Sequence, residues 1–339
     1  MKLSVLDQSP ILPGSTPEEA FHQTTELAKQ TDELGFHRFW VAEHHSTKGL
    51  AGSSPEILAT HLASQTKRIR IGTGGILLPH YSPYKIAEIF RVLETLYPGR
   101  IDLGVGRSPG GIPNVNLALN RGELPSIENY PSQLSELLSY LYGEDPNGMG
   151  IHASPKGEST PPIWMLGSSG TSARVASELG VSYSFAHFIN GYGGVRAMHR
   201  YFDHFQPSVQ QTEPQGNVSI FAVCAETDEH AEFLASSLDL AILKIEQGGL
   251  QRSFPSPAEA LGYTYTLDEE HQIQENRNRM VVGSPEKVKE KIERLADFYN
   301  VDEVIINTIT SPFEERLKSY QLIAEVFQLT KEVNDHAFF

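Results

Sequence analysis

The groups able to do chemistry in this chain come in short polar or glycine-rich runs, each directly behind an apolar one. Glu43-His44-His45 follows Arg38-Phe39-Trp40-Val41-Ala42. Imidazole titrates near neutrality, so His44 or His45 can act as acid, base or metal ligand. Neighbouring residues at a strand end point to opposite faces, so at most one of the two reaches a common site and shared chelation of a metal is disfavoured. Glu43 reads equally as a buried ion-pair partner. Gly74-Gly75 closes another apolar run, where the chain turns and a second group can approach the backbone. Gly167-Ser168-Ser169-Gly170-Thr171-Ser172 feeds straight into helical periodicity. Such a turn offers amides, hydroxyls and a positive helix end to an anion, although an ordinary capped connection looks the same. Arg107, in the loop Gly106–Gly111, leaves the neighbouring apolar run, and its guanidinium can close a bidentate contact on the same phosphate.

Other candidates have plainer readings. His187 follows Ser182–Ala186 and is a candidate contact only through its place behind a strand. Cys224 lies within an apolar strand and reads as packing. Arg277 and Arg279 read as part of a mobile lid or, more commonly, as solvated charges, and Val281-Val282-Gly283-Ser284-Pro285 as a turn, a capping serine and a first-turn proline.

The elements that must position these groups alternate regularly. Strand-like runs are Leu3–Leu6, Arg38–Ala42, Ile69–Gly72, Ile101–Val105, Pro162–Leu166, Ser182–Ala186, Val218–Ala225 and Asp302–Ile306. Each is followed by helical sequence, the first from Pro17 to Leu34 with Thr16 as its cap and Gly35 as its stop. That count predicts an α/β fold, a (β/α)8 TIM barrel. An open doubly wound sheet would want a glycine-rich dinucleotide turn behind the first strand, where Asp7-Gln8-Ser9-Pro10 stands instead. The unusual residues all follow strands, so one rim of the barrel collects them. The stretch from about 246 to 280, after the seventh strand, has no clear period and reads as an inserted loop in one domain spanning 1–339.

Bulk properties narrow the partners. The chain has 339 residues, 39% hydrophobic and 20% charged, with a net charge of −15. An acidic surface argues against nucleic acid. No apolar run reaches the roughly 18 residues of a membrane span. Met1–Asp7 reads as a strand and not as a signal peptide, which makes the cytoplasm the expected location. A single cysteine excludes an intrachain disulfide.

Six segments in order, "LDQSP", "WVAEHH", "RIGTGGILLPHYSPYKIAE", "GRIDLGVGRSPGG", "PIWMLGSSGTSARVASELG" and "VVGSPEKVKEKI", resemble the bacterial luciferase-like flavin monooxygenases over nearly the whole chain. The resemblance implies FMN, or the deazaflavin F420 in one branch, at the strand C-termini. It places the flavin phosphate on Arg107 and on Gly167, Ser168, Ser169 and Thr171, and a non-proline cis peptide at Gly74–Gly75 beneath the ring. It implies that His44 is the catalytic base and that His187 contacts flavin or substrate. It makes 246–280 a mobile shield over the site, and it suggests a homodimer packed through helices near the second and third strands. The implied reaction takes reduced FMN from a separate reductase, adds O2 to give a peroxyflavin, and passes one oxygen atom to a small organic substrate. Gly106 stands where the light-emitting subunit has a reactive cysteine, so efficient light emission is not implied. F420-dependent hydride transfer and a non-catalytic flavin-binding protein are the alternative readings.

Overall fold

The computed structural model describes residues 1–108, 110, 113–248 and 253–329. Pro109, Gly111, residues 249–252 of the insertion and residues 330–339 of the expected domain lie outside the described residues.

The first half runs β1 (Lys2–Asp7), α1 (Pro17–Leu34), β2 (Arg38–Val41), α2 (Pro55–Gln65), β3 (Arg70–Thr73), β4 (Ile76–Leu77), α3 (Pro83–Leu96), β5 (Ile101–Gly106), α4 (Pro113–Leu119) and α5 (Tyr130–Leu141). The second half runs β6 (Ile163–Gly167), α6 (Gly170–Leu179), β7 (Ser182–Ala186), α7 (Gly194–Asp203), β8 (Gly216–Cys224), α8 (Asp228–Glu246), α9 (Pro257–Gly262), α10 (Leu267–Asn276), β9 (Met280–Gly283), α11 (Pro285–Tyr299), β10 (Glu303–Asn307) and α12 (Phe313–Phe327). The parallel order β10-β1-β2-β3-β5-β6-β7-β8 is closed by a β10–β8 pairing, which makes eight barrel strands. The (β/α)8 barrel is therefore the fold.

Local chemistry explains the boundaries. Thr16 and Glu19 form a reciprocal capping box ahead of α1, and Gly35 ends it at φ 88°, a left-handed conformation that glycine adopts without Cβ strain. Alternation along the strands sorts the side chains. Leu3, Val5, Phe39, Val41, Ile71 and Leu103 face the helices and join the large outer core. Leu6, Trp40, Ala42, Trp164 and Ile305 face the lumen as a separate cluster.

Beneath that cluster lies a buried ionic layer. The Arg38 guanidinium donates to Asp102 at 2.7 Å and to Glu303 at 2.6 Å. Trp40 Nε1 donates to Asp102 at 3.0 Å, and Ser4 Oγ to Glu303 at 2.6 Å. Burial alone would raise the Asp102 carboxyl, but Arg38 and Arg70 overcome it and hold the group below the usual carboxylate range. A buried pair survives only when its lone pairs are answered this fully. The layer plugs the lower end of the barrel, so any cavity must open at the other.

The structure adds to the sequence reading in the insertion. The two short helices α9 and α10 occupy part of the aperiodic stretch, each begun by a capping box, Ser256 with Glu259 and Thr266 with Glu269. Val281–Gly283, read as a turn, is strand β9, paired with the upper half of β8. Ser284 holds the N-cap position without a side-chain cap bond; its N–H donates to Asp228 at 2.8 Å. Arg277 and Arg279 are not simply solvated: they pair with Asp239 at 2.6 Å and Glu246 at 2.8 Å.

Candidate active site

At the C-terminal ends of the strands is a cavity of about 460 Å3. Its wall includes His44, Gly74, Gly75, Arg107, Gly167, Ser168 and Ser169, seven of the nine residues singled out from the sequence. The Gly74–Gly75 peptide is cis. Thr171 and His187 are not among the lining residues.

The loop between β6 and α6 is built as an open donor set. The helix α6 starts at Gly170, and Ser169 at its N-cap makes no side-chain cap bond. Two carbonyls of this loop are engaged within the protein. Asn190 Nδ2 donates to Ser168 O at 3.0 Å, while Ser172 Oγ and Tyr183 Oη donate to Ser169 O at 2.7 and 3.2 Å. The first-turn amides of an uncapped helix need an acceptor, and the macrodipole favours an anionic one. Arg107 lines the same cavity and makes no hydrogen bond or ion pair with any described residue. Tyr130, fully buried at the head of α5, has a hydroxyl without a partner among the described residues; burial raises its pKa and the nearby Arg107 charge opposes that rise.

The opposite side carries the histidine. Nδ1 of His44 is buried without a hydrogen-bond partner among the described residues. Burial, helped slightly by the His45 charge, pushes its pKa down to about 4, so the ring is neutral at pH 7. The flanking Glu43 has a fully buried carboxylate that accepts from His45 Nε2 at 2.7 Å, Tyr81 Oη at 2.7 Å and Leu77 N at 2.8 Å. Glu43 is therefore a buried hydrogen-bond acceptor for three donors.

Two side chains depart from their expected places. The chain turns at the end of β7, with Ile189 N–H and Asn190 N–H both donating to Ala186 O. Ser184 and Ala186 face the cavity, so alternation turns His187 toward the helices. There it bonds Tyr299 Oη at 2.9 Å and Asn278 O at 3.0 Å, while Phe188 and Ile189 fill the wall. Thr171 is exposed on α6, and Ser172 lines the cavity instead. Sequence reasoning missed Gln8, Tyr130, Phe188 and Ser172. Only the strand-end position of Gln8 gave a usable signal.

A parallel eight-stranded barrel with its one described anion-seeking cavity at the strand C-termini defines a (β/α)8 enzyme-type site. The model of the family described as luciferase-like monooxygenase matches residues 1–299, and the chain belongs to that family. Among its relatives, the uncharacterized protein YwcH of Bacillus subtilis (strain 168) is 48% identical over 96% of this chain and 99% of its own length. The N-acetyl-S-alkylcysteine monooxygenase of the same organism is 36% identical over 98% of this chain and 99% of its own length. The crystal structure of apo-MsnO8 superposes with a TM-score of 0.88 at 36% identity, covering 97% of this chain and 99% of that one. Monooxygenase relatives that span the chain support an oxidoreductase.

Proposed function

We propose that the protein is a flavin-dependent monooxygenase that uses reduced FMN and O2 to place one oxygen atom on a small organic substrate. The observation that carries the reading is Arg107, a cation with no partner among the described residues, lining the same cavity as the uncapped first turn of α6. The donor set fits a phosphate monoester: a guanidinium, the Ser168 and Ser169 hydroxyls and free helix amides suit a dianion. Reduced FMN, when bound, supplies the electrons with which O2 is activated.

The chain's own residues orient, dry and deprotonate. Arg107 and the loop between β6 and α6 hold the phosphate end. Gly74 and Gly75 leave the ring face without side chains. His44, neutral at pH 7, accepts a proton at Nδ1, the atom the fold leaves unpartnered. Phe188, Ile189, Leu77 and Ile127 give the cavity apolar walls that keep water out. Arg279 donates to Ile189 O at 3.0 Å and ties the segment after α10 to that wall, which supports the insertion as a cover. The exposed Ile57 on α2 and Leu96 on α3 support a homodimer through these helices, and a separate reductase would supply the reduced FMN.

The test is oxygen-18 incorporation with enzymatically reduced FMN and a panel of neutral substrates, beginning with the N-acetylated thioethers that the B. subtilis relative's name suggests. One labelled oxygen per product is the expected result. Anaerobic reduction of the panel by reduced F420, or flavin binding with no substrate-dependent oxygen uptake, would replace this reading with one of the two alternatives.

A further inference from the structure

We propose that Gln8 is a cofactor-binding residue whose side-chain amide, beside the His44 imidazole, receives the neutral imide edge (O=C–N–H) of the flavin's pyrimidine ring. The inference rests on the flavin reading above and adds to it a second anchor point, at the end of the cavity away from the phosphate.

The first observation is how firmly the backbone around Gln8 is held. The buried Asp7 carboxylate accepts the Ser9 N–H at 2.9 Å and the Arg316 guanidinium at 2.7 Å. Ser9 lies at φ 49°, its Oγ accepting from Thr24 at 3.0 Å and its carbonyl from Ala51 N at 2.9 Å. Both neighbours are thus fixed by the fold. The Gln8 side chain, in contrast, lines the cavity and makes no hydrogen bond with any described residue. A long polar side chain ordered at a cavity wall without a partner adds nothing to the fold that an apolar one would not.

The second observation is the division of polar groups around the cavity. Arg107, Ser108, Ser168, Ser169 and Ser172 stand behind β5 and β6, with Ser108 accepting from Gly110 N at 3.2 Å and Ser172 donating to Ser169 O at 2.7 Å. Ser184 and Ser219 face each other at 3.4 Å, and the Glu43 carboxylate is committed to its three donors. What is left is the Gln8 amide and His44 Nδ1, on the adjoining ends of β1 and β2. These ends are knitted together: Ala42 N–H donates to Asp7 O at 3.1 Å, and His44 N–H to Gly52 O at 2.8 Å, next to the Ala51 bond to Ser9. Both groups are neutral, so this end suits a neutral polar ligand group and the other an anion.

The ligand's chemistry matches that polarity. Oxidised FMN carries its charge on the phosphate tail, and the polar edge of its ring system is the pyrimidine imide, whose C4=O and N3–H stay neutral in the reduced flavin as well. A primary amide offers one donor and one acceptor side by side, the complement of O=C–N–H. With the tail on Arg107, the ring system points toward the β1 and β2 side of the cavity, where the apolar xylene edge would leave the half-buried Gln8 amide and the buried His44 Nδ1 unanswered.

The experiment titrates the full-length protein with FMN and with 3-methyl-FMN, which lacks the imide N–H, followed by flavin fluorescence. Wild type, Gln8→Leu and a Gln8→Glu control are compared, with circular dichroism to confirm folding. Gln8→Leu should bind FMN about five- to tenfold more weakly, the worth of one or two neutral hydrogen bonds, and should lose the wild-type preference for FMN over the methylated flavin. Equal FMN affinity in wild type and Gln8→Leu, or an undiminished preference in the variant, overturns the inference while leaving the monooxygenase reading intact. A wild-type protein that binds no flavin removes both.

Discussion

Glu43 Oε2 accepts the main-chain N–H of Leu77 at 2.8 Å, which ties the strand end carrying His44 to the segment just after Gly74–Gly75. The same carboxylate holds His45 and Tyr81, each at 2.7 Å. This buried side chain thus reinforces the spacing between the histidine and the diglycine that the β2–β3 ladder sets, in which Gly74 N–H donates to Val41 O at 2.8 Å.

Replacing Glu43 by alanine should destabilise the protein by about 2–4 kcal/mol, because it strands the Leu77 N–H and two side-chain donors. Urea unfolding at pH 7 measures this. An unchanged midpoint would show that the three bonds carry no stability.

The neutral His44 has a consequence for acid stability. Its folded pKa, about 4, lies below the ordinary histidine value of 6.5, so the unfolded chain binds more protons between those two values. Stability contributed by keeping the ring neutral is complete above pH 6.5 and is lost as the pH falls toward 4. The slope is at most about 1.4 kcal/mol per pH unit for one such group. His37, also pushed down to about 4 by burial and by Arg38, adds in the same direction. Unfolding curves at pH 5 and 7 should differ less in His44→Asn than in wild type; an identical difference would contradict the buried neutral imidazole.

Much of this was legible because strand alternation and turn chemistry are local. The strand-end placement of His44, Arg107 and Ser168 followed from apolar runs ending in polar ones, and the closed barrel from their count. His187 went astray because its place behind a strand was taken as a place in the cavity, although Ala186 faces the lumen and its neighbour must then face the helices. The capping boxes at Ser256 and Thr266 were present in the sequence, but helices as short as α9 leave no period to read. Tyr130 lacked any such signal, and Gln8 offered only its position behind β1. Their importance lies in what they do not bond, which only packing reveals.

Arg279→Ala should loosen the wall at Ile189, whose carbonyl it holds at 3.0 Å. Water then reaches the site, and the peroxide released per reduced flavin consumed should rise severalfold with FMN affinity unchanged. A peroxide assay under turnover decides it; an unchanged yield would separate this segment from the cavity's dryness.

Ile57, 68% exposed on α2, should belong to the subunit contact. Light scattering of Ile57→Arg should give the mass of one chain where wild type gives two. A wild-type monomer would contradict the proposed dimer.

The most direct measurement of the central claim is FMN affinity in Arg107→Ala. Loss of an unpaired guanidinium from a phosphate should weaken binding by about 1.5–3 kcal/mol, roughly ten- to 150-fold, in a fluorescence titration. An affinity equal to wild type would mean that the phosphate lies elsewhere and that the cavity is not the flavin site described.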